Sequence, residues 1–395
     1  MASKRFEDEE LNRDSIDRYR KKQKRKKRSR ALWRFLLTII LLLIVVYAGL
    51  KISDSGFNIS DFFSEKVETV QEGENYPIKF LGSKGLALEN TPTGNVLLTT
   101  NDVFLYSKDG DLKNSYNHGY VTPILKTSSK YALVFDQSAN RFALCSPSGV
   151  EYEKTILEQV ITADVNSNGS VAVAITNERS GGNLVVYDHK GNEKARWDSS
   201  DKQITSVSFK SGGTVLVGCL STDGGDVVTT IVGVNAANGK AKYSYNIKGK
   251  LMLELAPKSL SKAGLIFDNG CGFYNSKGED VNSTTQTQKL LCYDNSNSGG
   301  IVMAFEHYSD ADISQIMMYK SDGDAIKADV EGVVRDIIYK GSKIYALHAN
   351  KISVFDEDLA LVTDYPISAN VQKIAVSGNM AYLLKPTLIE AFSLS

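Results

Sequence analysis

Ser107-Lys108-Asp109-Gly110 stands between two short runs suited to strands, and this kind of turn returns along the chain. Its later copies are Ser146-Pro147-Ser148-Gly149, Asp188-His189-Lys190-Gly191, Ala236-Ala237-Asn238-Gly239, Asn275-Ser276-Lys277-Gly278 and Lys320-Ser321-Asp322-Gly323. A degenerate copy sits at Asp356-Glu357-Asp358. The glycines follow one another at 39, 42, 48, 39 and 45 residues. A period near 40 with strand–turn–strand punctuation is the mark of a β-propeller, one blade per repeat.

Working outward from the turns, each repeat reads as four strands, with the turn joining the third to the fourth. The third strands, 103–106, 141–145, 183–187, 227–234, 271–274, 313–319 and 352–355, are β-branched and aromatic, as strands prefer. The second strands, such as 96–98, 131–135, 171–175, 215–220 and 301–305, are near-continuous apolar runs, which fits burial on both faces. First strands begin near residues 84, 119, 159, 203, 250, 288, 332 and 369, predicting eight blades. Seven is the alternative, because the fifth repeat is short and irregular. The last repeat lacks a fourth strand, and 76–81 is an orphan strand ahead of the first repeat. Pairing the two would close the ring and remove its edges.

The formal net charge of zero conceals an asymmetry. Residues 1–34 carry 14 Lys/Arg against 6 Asp/Glu, and the rest carries 32 against 40. Residues 35–50 hold no charge. Extended to 31–52, the segment is about 33 Å long as a helix, enough for a ~30 Å hydrocarbon core. Arg34 and Lys51 would snorkel to opposite interfaces. The basic run 18–30 precedes it, so the positive-inside rule predicts a cytoplasmic N-terminus and an extracytoplasmic remainder. A cleaved signal peptide, with Val46-Tyr47-Ala48 as the processing site, is disfavoured by the long basic leader.

The predicted order is therefore a disordered tail (1–30), a single-pass transmembrane signal anchor (31–52), a stalk (53–74) and an all-β propeller (75–395). The basic tail suits anionic lipid head groups. Its lack of interleaved aromatics beyond Tyr19 argues against nucleic acid.

Asn235-Ala236-Ala237-Asn238-Gly239-Lys240-Ala241-Lys242-Tyr243 resembles the docking motif of quinoprotein-like propellers, D-A-x-T-G-x-x-x-W, with Tyr243 in place of the Trp. Trp197, Tyr116 and Tyr245 each follow a turn glycine by six residues, a shifted place. The likeness to quinoprotein-like and WD40-like propellers covers about residues 75–395. The full layout also resembles a family of membrane-anchored propeller proteins of Gram-positive bacteria, which implies a fold and an address but no activity. Quinone-dependent relatives need Ca²⁺ and a Trp floor under the cofactor. Trp197 follows the predicted anchor as the one Trp there and stands at a packing position, so no cofactor is expected.

No metal, catalytic or cofactor residue is singled out. His118, His189, His307 and His348 fall in different repeats and read as exposed turn or strand-edge residues. Asp294-Asn295-Ser296-Asn297-Ser298-Gly299 opens like a calcium loop, but its twelfth position is Phe305, so it reads as a polar turn. Ser221-Thr222-Asp223-Gly224-Gly225-Asp226 reads as a turn, and the sequons at Asn58, Asn168 and Asn282 as chance matches. Cys145, Cys219, Cys271 and Cys292 form no C-x-x-C pair, and a Cys271–Cys292 bridge between neighbouring blades is left open. The expectation is a non-enzymatic platform for an envelope protein or polysaccharide. The alternatives are a hydrolase or lyase using acidic residues near the central channel, or a ligand sensor.

Overall fold

The second strand of each repeat is apolar at nearly every position because a neighbouring sheet covers each of its faces. Gly94–Thr99, Tyr131–Asp136 and Val171–Ile175 are buried along their whole lengths. Fourth strands such as Leu112–Asn117 and Leu361–Pro366 alternate exposed and half-buried positions, as an outer edge should. In this computed structural model, residues 75–80, 82–257, 262–296, 299–321 and 325–394 are described. The expected tail, anchor and stalk (1–30, 31–52 and 53–74) lie outside the described residues. Among the described residues no helix is long and apolar enough to cross a membrane.

The strands form eight four-stranded antiparallel sheets, which settles the count at eight blades rather than seven. Seven blades take four consecutive strands, and the recurring turn joins the third to the fourth. The eighth sheet is assembled from both ends of the propeller: Ile78–Lys79 pairs with Leu388–Ser393, Ile78 opposite Ile389 and Lys79 opposite Leu388. Eight hydrophobic clusters lie between consecutive blades, one of them joining blade eight to blade one through Phe80, Leu97, Tyr106 and Tyr382. An open row of eight blades would have one interface fewer, so the ring is closed.

The turn works through two local devices. In the copies beginning at Asp188, Asn275 and Asp356 the side-chain oxygen at the first position caps backbone N–H groups two and four residues on. Asp188 Oδ1 accepts from Lys190 N and Asn192 N, both at 2.8 Å. Asn275 Oδ1 accepts from Lys277 N at 2.9 Å and Glu279 N at 3.1 Å. The fourth residue is left-handed, at φ +80° for Gly191 and +81° for Gly278. The degenerate seventh copy keeps the geometry: Asp356 Oδ1 caps Asp358 N and Ala360 N, and Leu359 takes the left-handed place at φ +61°. Its side chain is buried between blades six and seven, which offsets the strain.

Tyr243, at the motif's aromatic place, packs against the cluster between blades four and five, but the contact with the next turn falls to the shifted ring. Tyr243 sits opposite Gly233 of its own blade and covers it; a Cβ on Gly233 would lie 2.5 Å from Tyr243 Cζ. Tyr245, at the shifted place, is the ring that reaches the turn of blade five. A Cβ on Gly278 would lie 2.6 Å from Tyr245 Cβ, and the Tyr245 and Tyr274 ring centroids are 6.4 Å apart. Trp197 packs into the interface of blades three and four, as its repeat position suggested.

None of the four cysteines forms a disulfide. Cys271 is buried between blades five and six, whereas Cys292 packs between blades six and seven, so no bridge joins them.

Candidate functional site

Antiparallel pairing puts the start of each first strand, the second–third hairpin and the end of each fourth strand at one end of the propeller. This connection end carries most of the exposed large apolar side chains. Val121 is 90% exposed and Leu157 97% exposed in links between blades, and Tyr308 is 87% exposed on the second–third hairpin of blade six. Val333 and Leu251 stand in other links, and Leu86, Leu253 and Val227 near strand starts. Acidic Glu306, Asp310 and Asp312 surround Tyr308, all exposed. The remaining exposed apolar residues, Leu112, Val150, Val281, Leu361 and Val362, lie on outer strands just after the recurring turn.

The first strands pack on one another around the ring and line its central channel. Five of them bear a bulge near their start. Counted from it, Glu89, Asp164, Ser208, Ala256 and Asp294 take equivalent places in blades one, three, four, five and six. Three carboxylates therefore share one level of the channel, with Glu254, Lys126, Asp336 and Lys373 on the same set of strands.

Four of the five carboxylates are tied to the first strand of the next blade. Asp164 accepts from Phe209 N at 2.7 Å and Ser208 Oγ at 3.0 Å. Glu254 accepts from Tyr293 OH at 2.7 Å, and Asp294 from Tyr339 N at 2.7 Å. Asp336 accepts from Ile374 N at 3.0 Å and Lys373 Nζ at 2.9 Å. Lys126 of blade two crosses the lumen to Glu254 of blade five, Nζ to Oε1 2.7 Å. Burial alone would push the Glu254 carboxyl up, but Lys126 and Tyr293 outweigh it and hold it below the usual range.

Glu89 differs. No hydrogen bond reaches its carboxylate from any described residue, and water has access to it, yet enclosure by protein, then Asp294, pushes its pKa up to about 7 against the pull of Lys126. Access to water with protein on every side describes a group facing a narrow lumen rather than the outside. Between its ordinary value of 4.5 and about 7 the folded chain holds a proton that the unfolded chain has released. Stability must then fall as pH rises through that window. Glu89→Gln is expected to match the parent at pH 5 and exceed it at pH 8, by on the order of 1 kcal/mol once water in the lumen is allowed for. Thermal melts at the two pH values check this.

The histidines do not converge. His118 and His348 are each only 3% exposed, against the expectation of exposed turn residues. The His118 ring packs 5.0 Å from that of Tyr120 and accepts from Tyr120 N at Nδ1, 2.9 Å away, so it serves the link between blades. His348 lies against Gly332 in the link between blades six and seven. His189 is exposed in its turn, and His307 Nε2 lies 3.7 Å from Asp329 Oδ2. Asp294 Oδ1 caps Ser296 N at 2.8 Å, and residues 297–298 of that expected turn lie outside the described residues. Gly224-Gly225 closes a hairpin whose Asp223 bridges Lys248 at 2.6 Å. Among the described residues no group of three or more His, Cys, Asp or Glu is placed to hold a metal ion.

Sequence reasoning put acidic groups near the channel without naming them. The signal was there: a carboxylate interrupting an apolar first strand, as in Leu86-Ala87-Leu88-Glu89, Thr162-Ala163-Asp164-Val165 and Leu253-Glu254-Leu255.

Over residues 89–391 the chain matches the family described as "Family of unknown function (DUF5711)". No curated protein matches it. Among solved structures it is similar to BamB from Moraxella catarrhalis at 11% identity and TM-score 0.53, covering 80% of this chain and 99% of that one. Sqt1 from Saccharomyces cerevisiae is similar at 11% identity and TM-score 0.57, covering 82% and 100%. The quinohemoprotein alcohol dehydrogenase ADHIIG from Pseudomonas putida HK5 is similar at 10% identity and TM-score 0.52, covering 79% and 75%. These likenesses show the propeller fold. A fold shared with a dehydrogenase does not by itself decide chemistry.

Proposed function

We propose, for a chain that belongs to the DUF5711 family of unknown function, that the propeller is a non-enzymatic protein-binding platform whose connection end is the docking face. The observation that carries this reading is the gathering of Val121, Leu157, Leu251, Tyr308 and Val333, all exposed, around one end of the ring. Exposed apolar and aromatic side chains rimmed by charge are what interfaces use as anchors. The address rests on the sequence: a basic tail at 1–30 drawn to anionic head groups, a single apolar span at 31–52, and the propeller beyond it outside the cell membrane. The partner on this reading is an envelope protein.

The test is cross-linking of the full-length protein in cells with a membrane-impermeant amine reagent, followed by capture and mass spectrometry. A combined Leu157→Asp and Tyr308→Asp variant is expected to lower partner recovery at least about tenfold, as loss of interface anchors does. A Leu112→Asp and Leu361→Asp control on the outer strands is expected to leave it unchanged. Equal recovery with both pairs would overturn the docking face, and absence of any cross-link from the impermeant reagent would overturn the address.

A further inference from the structure

We propose that the central channel holds a binding site for an alkylammonium group, with the Glu89 carboxylate as its counter-ion. The argument starts from how the chain treats the other acidic groups on its first strands. Asp164 and Asp294 are satisfied by backbone N–H groups of the next blade. Glu254 and Asp336 each receive a lysine ammonium, Lys126 at 2.7 Å and Lys373 at 2.9 Å. Glu89 shares its level with Asp164 and Asp294, yet no described residue donates a hydrogen bond to it. Lys126 is near enough to act on Glu89 electrostatically but is spent on Glu254. The channel thus uses an ammonium twice to answer a carboxylate and leaves one carboxylate to be answered from outside.

Charge and geometry select the class of ligand. Five carboxylates face two ammonium groups among these residues, so the lumen favours a cation. A divalent metal wants several oxygens at about 2.0–2.6 Å, and no such group exists among the described residues. One free carboxylate matches one monovalent hydrogen-bonding cation on a slender stem, as a lysine side chain or a polyamine supplies. The charged groups facing Glu89 are Asp294, Lys126, Asp336, Glu254 and Lys373, and of these the two lysines oppose a cation, each already engaged by another carboxylate. This site does not rest on the docking reading, because its argument uses only side chains of the first strands.

The test is isothermal titration of the full-length protein in detergent, at low salt, with spermidine, with N-acetyl-lysine methylamide and with calcium chloride. Saturable binding of either amine at pH 8 is expected. It should weaken about tenfold at pH 6, where the proton competes for a carboxylate of raised pKa, and at least about tenfold in Glu89→Gln. Glu89→Asp, which keeps the charge, should retain the pH dependence and guards against a variant that merely misfolds. Spermidine alone would identify a free polyamine as the source, and the lysyl compound alone a side chain of a bound protein. Binding of calcium in place of both amines, no saturable binding, or binding indifferent to Glu89→Gln would each overturn the proposal.

Discussion

Gly239→Val is expected to destabilise the propeller by about 4 kcal/mol, the sum of a left-handed backbone penalty and an overpacked contact. Gly239 sits at φ +71° in the blade-four turn, where its N–H donates to Asn235 O at 2.9 Å. A Cβ there would fall 2.1 Å from the backbone oxygen of Arg196 in blade three. A backbone atom held in a sheet cannot swing aside as the end of a flexible side chain would, so the two blades must part. Gly213 gives the control. It is also left-handed, at φ +65°, but a Cβ on it meets nothing within 4 Å. Gly213→Val should therefore cost only the backbone part, about 1–2 kcal/mol. Denaturant midpoints of the two variants measure the difference, and equal losses would show that the Arg196 contact has no weight.

Phe80→Ala is expected to cost about 3–5 kcal/mol, the usual range for deleting a buried aromatic ring. Phe80 is 4% exposed and follows the two-residue strand that completes blade eight. It packs with Leu88, Leu97, Tyr382 and Leu384 in the one interface that joins the ends of the ring. The loss should have a local signature as well. Without Phe80 the Ile78–Lys79 strand keeps only its short pairing to Leu388–Ser393 and the packing of Ile78 and Tyr76. Amide protons of the last blade should then exchange with water much faster than those of blade three, whose four strands are contiguous. An equal rise in exchange across both blades would mean that the ring opens only by global unfolding.

The two predictions mark the boundary between local and global information in this chain. The turn chemistry is local: a capping oxygen at the first position and a left-handed residue at the fourth are set within five residues, so Asp188 to Gly191 could be read as a turn from its letters. The apolar second strands were equally legible, because burial on both faces leaves a continuous run such as Val171–Ile175. These signals carried the all-β class, the period and the pairing of the end strands. The Tyr243 assignment shows the limit of a motif. Tyr243 and Tyr245 lie on one face of the same strand, and which of them meets the next blade's turn depends on where that turn sits.

The site was the less legible part. His118 looks like an exposed turn residue in sequence, but the link it belongs to folds back over Tyr120, and this contact buries its ring. By itself, then, the sequence determined the repeat and its turns, because both rest on neighbouring residues. Only the tertiary structure decided that there are eight blades, and which carboxylates face the channel and which of them finds a counter-ion. Lys126 and Glu254 are 128 positions apart, and Glu89 meets the charges of blades five, six and seven only after the ring has closed. No local pattern specifies such a meeting, since it is closure that brings eight separated first strands to one axis.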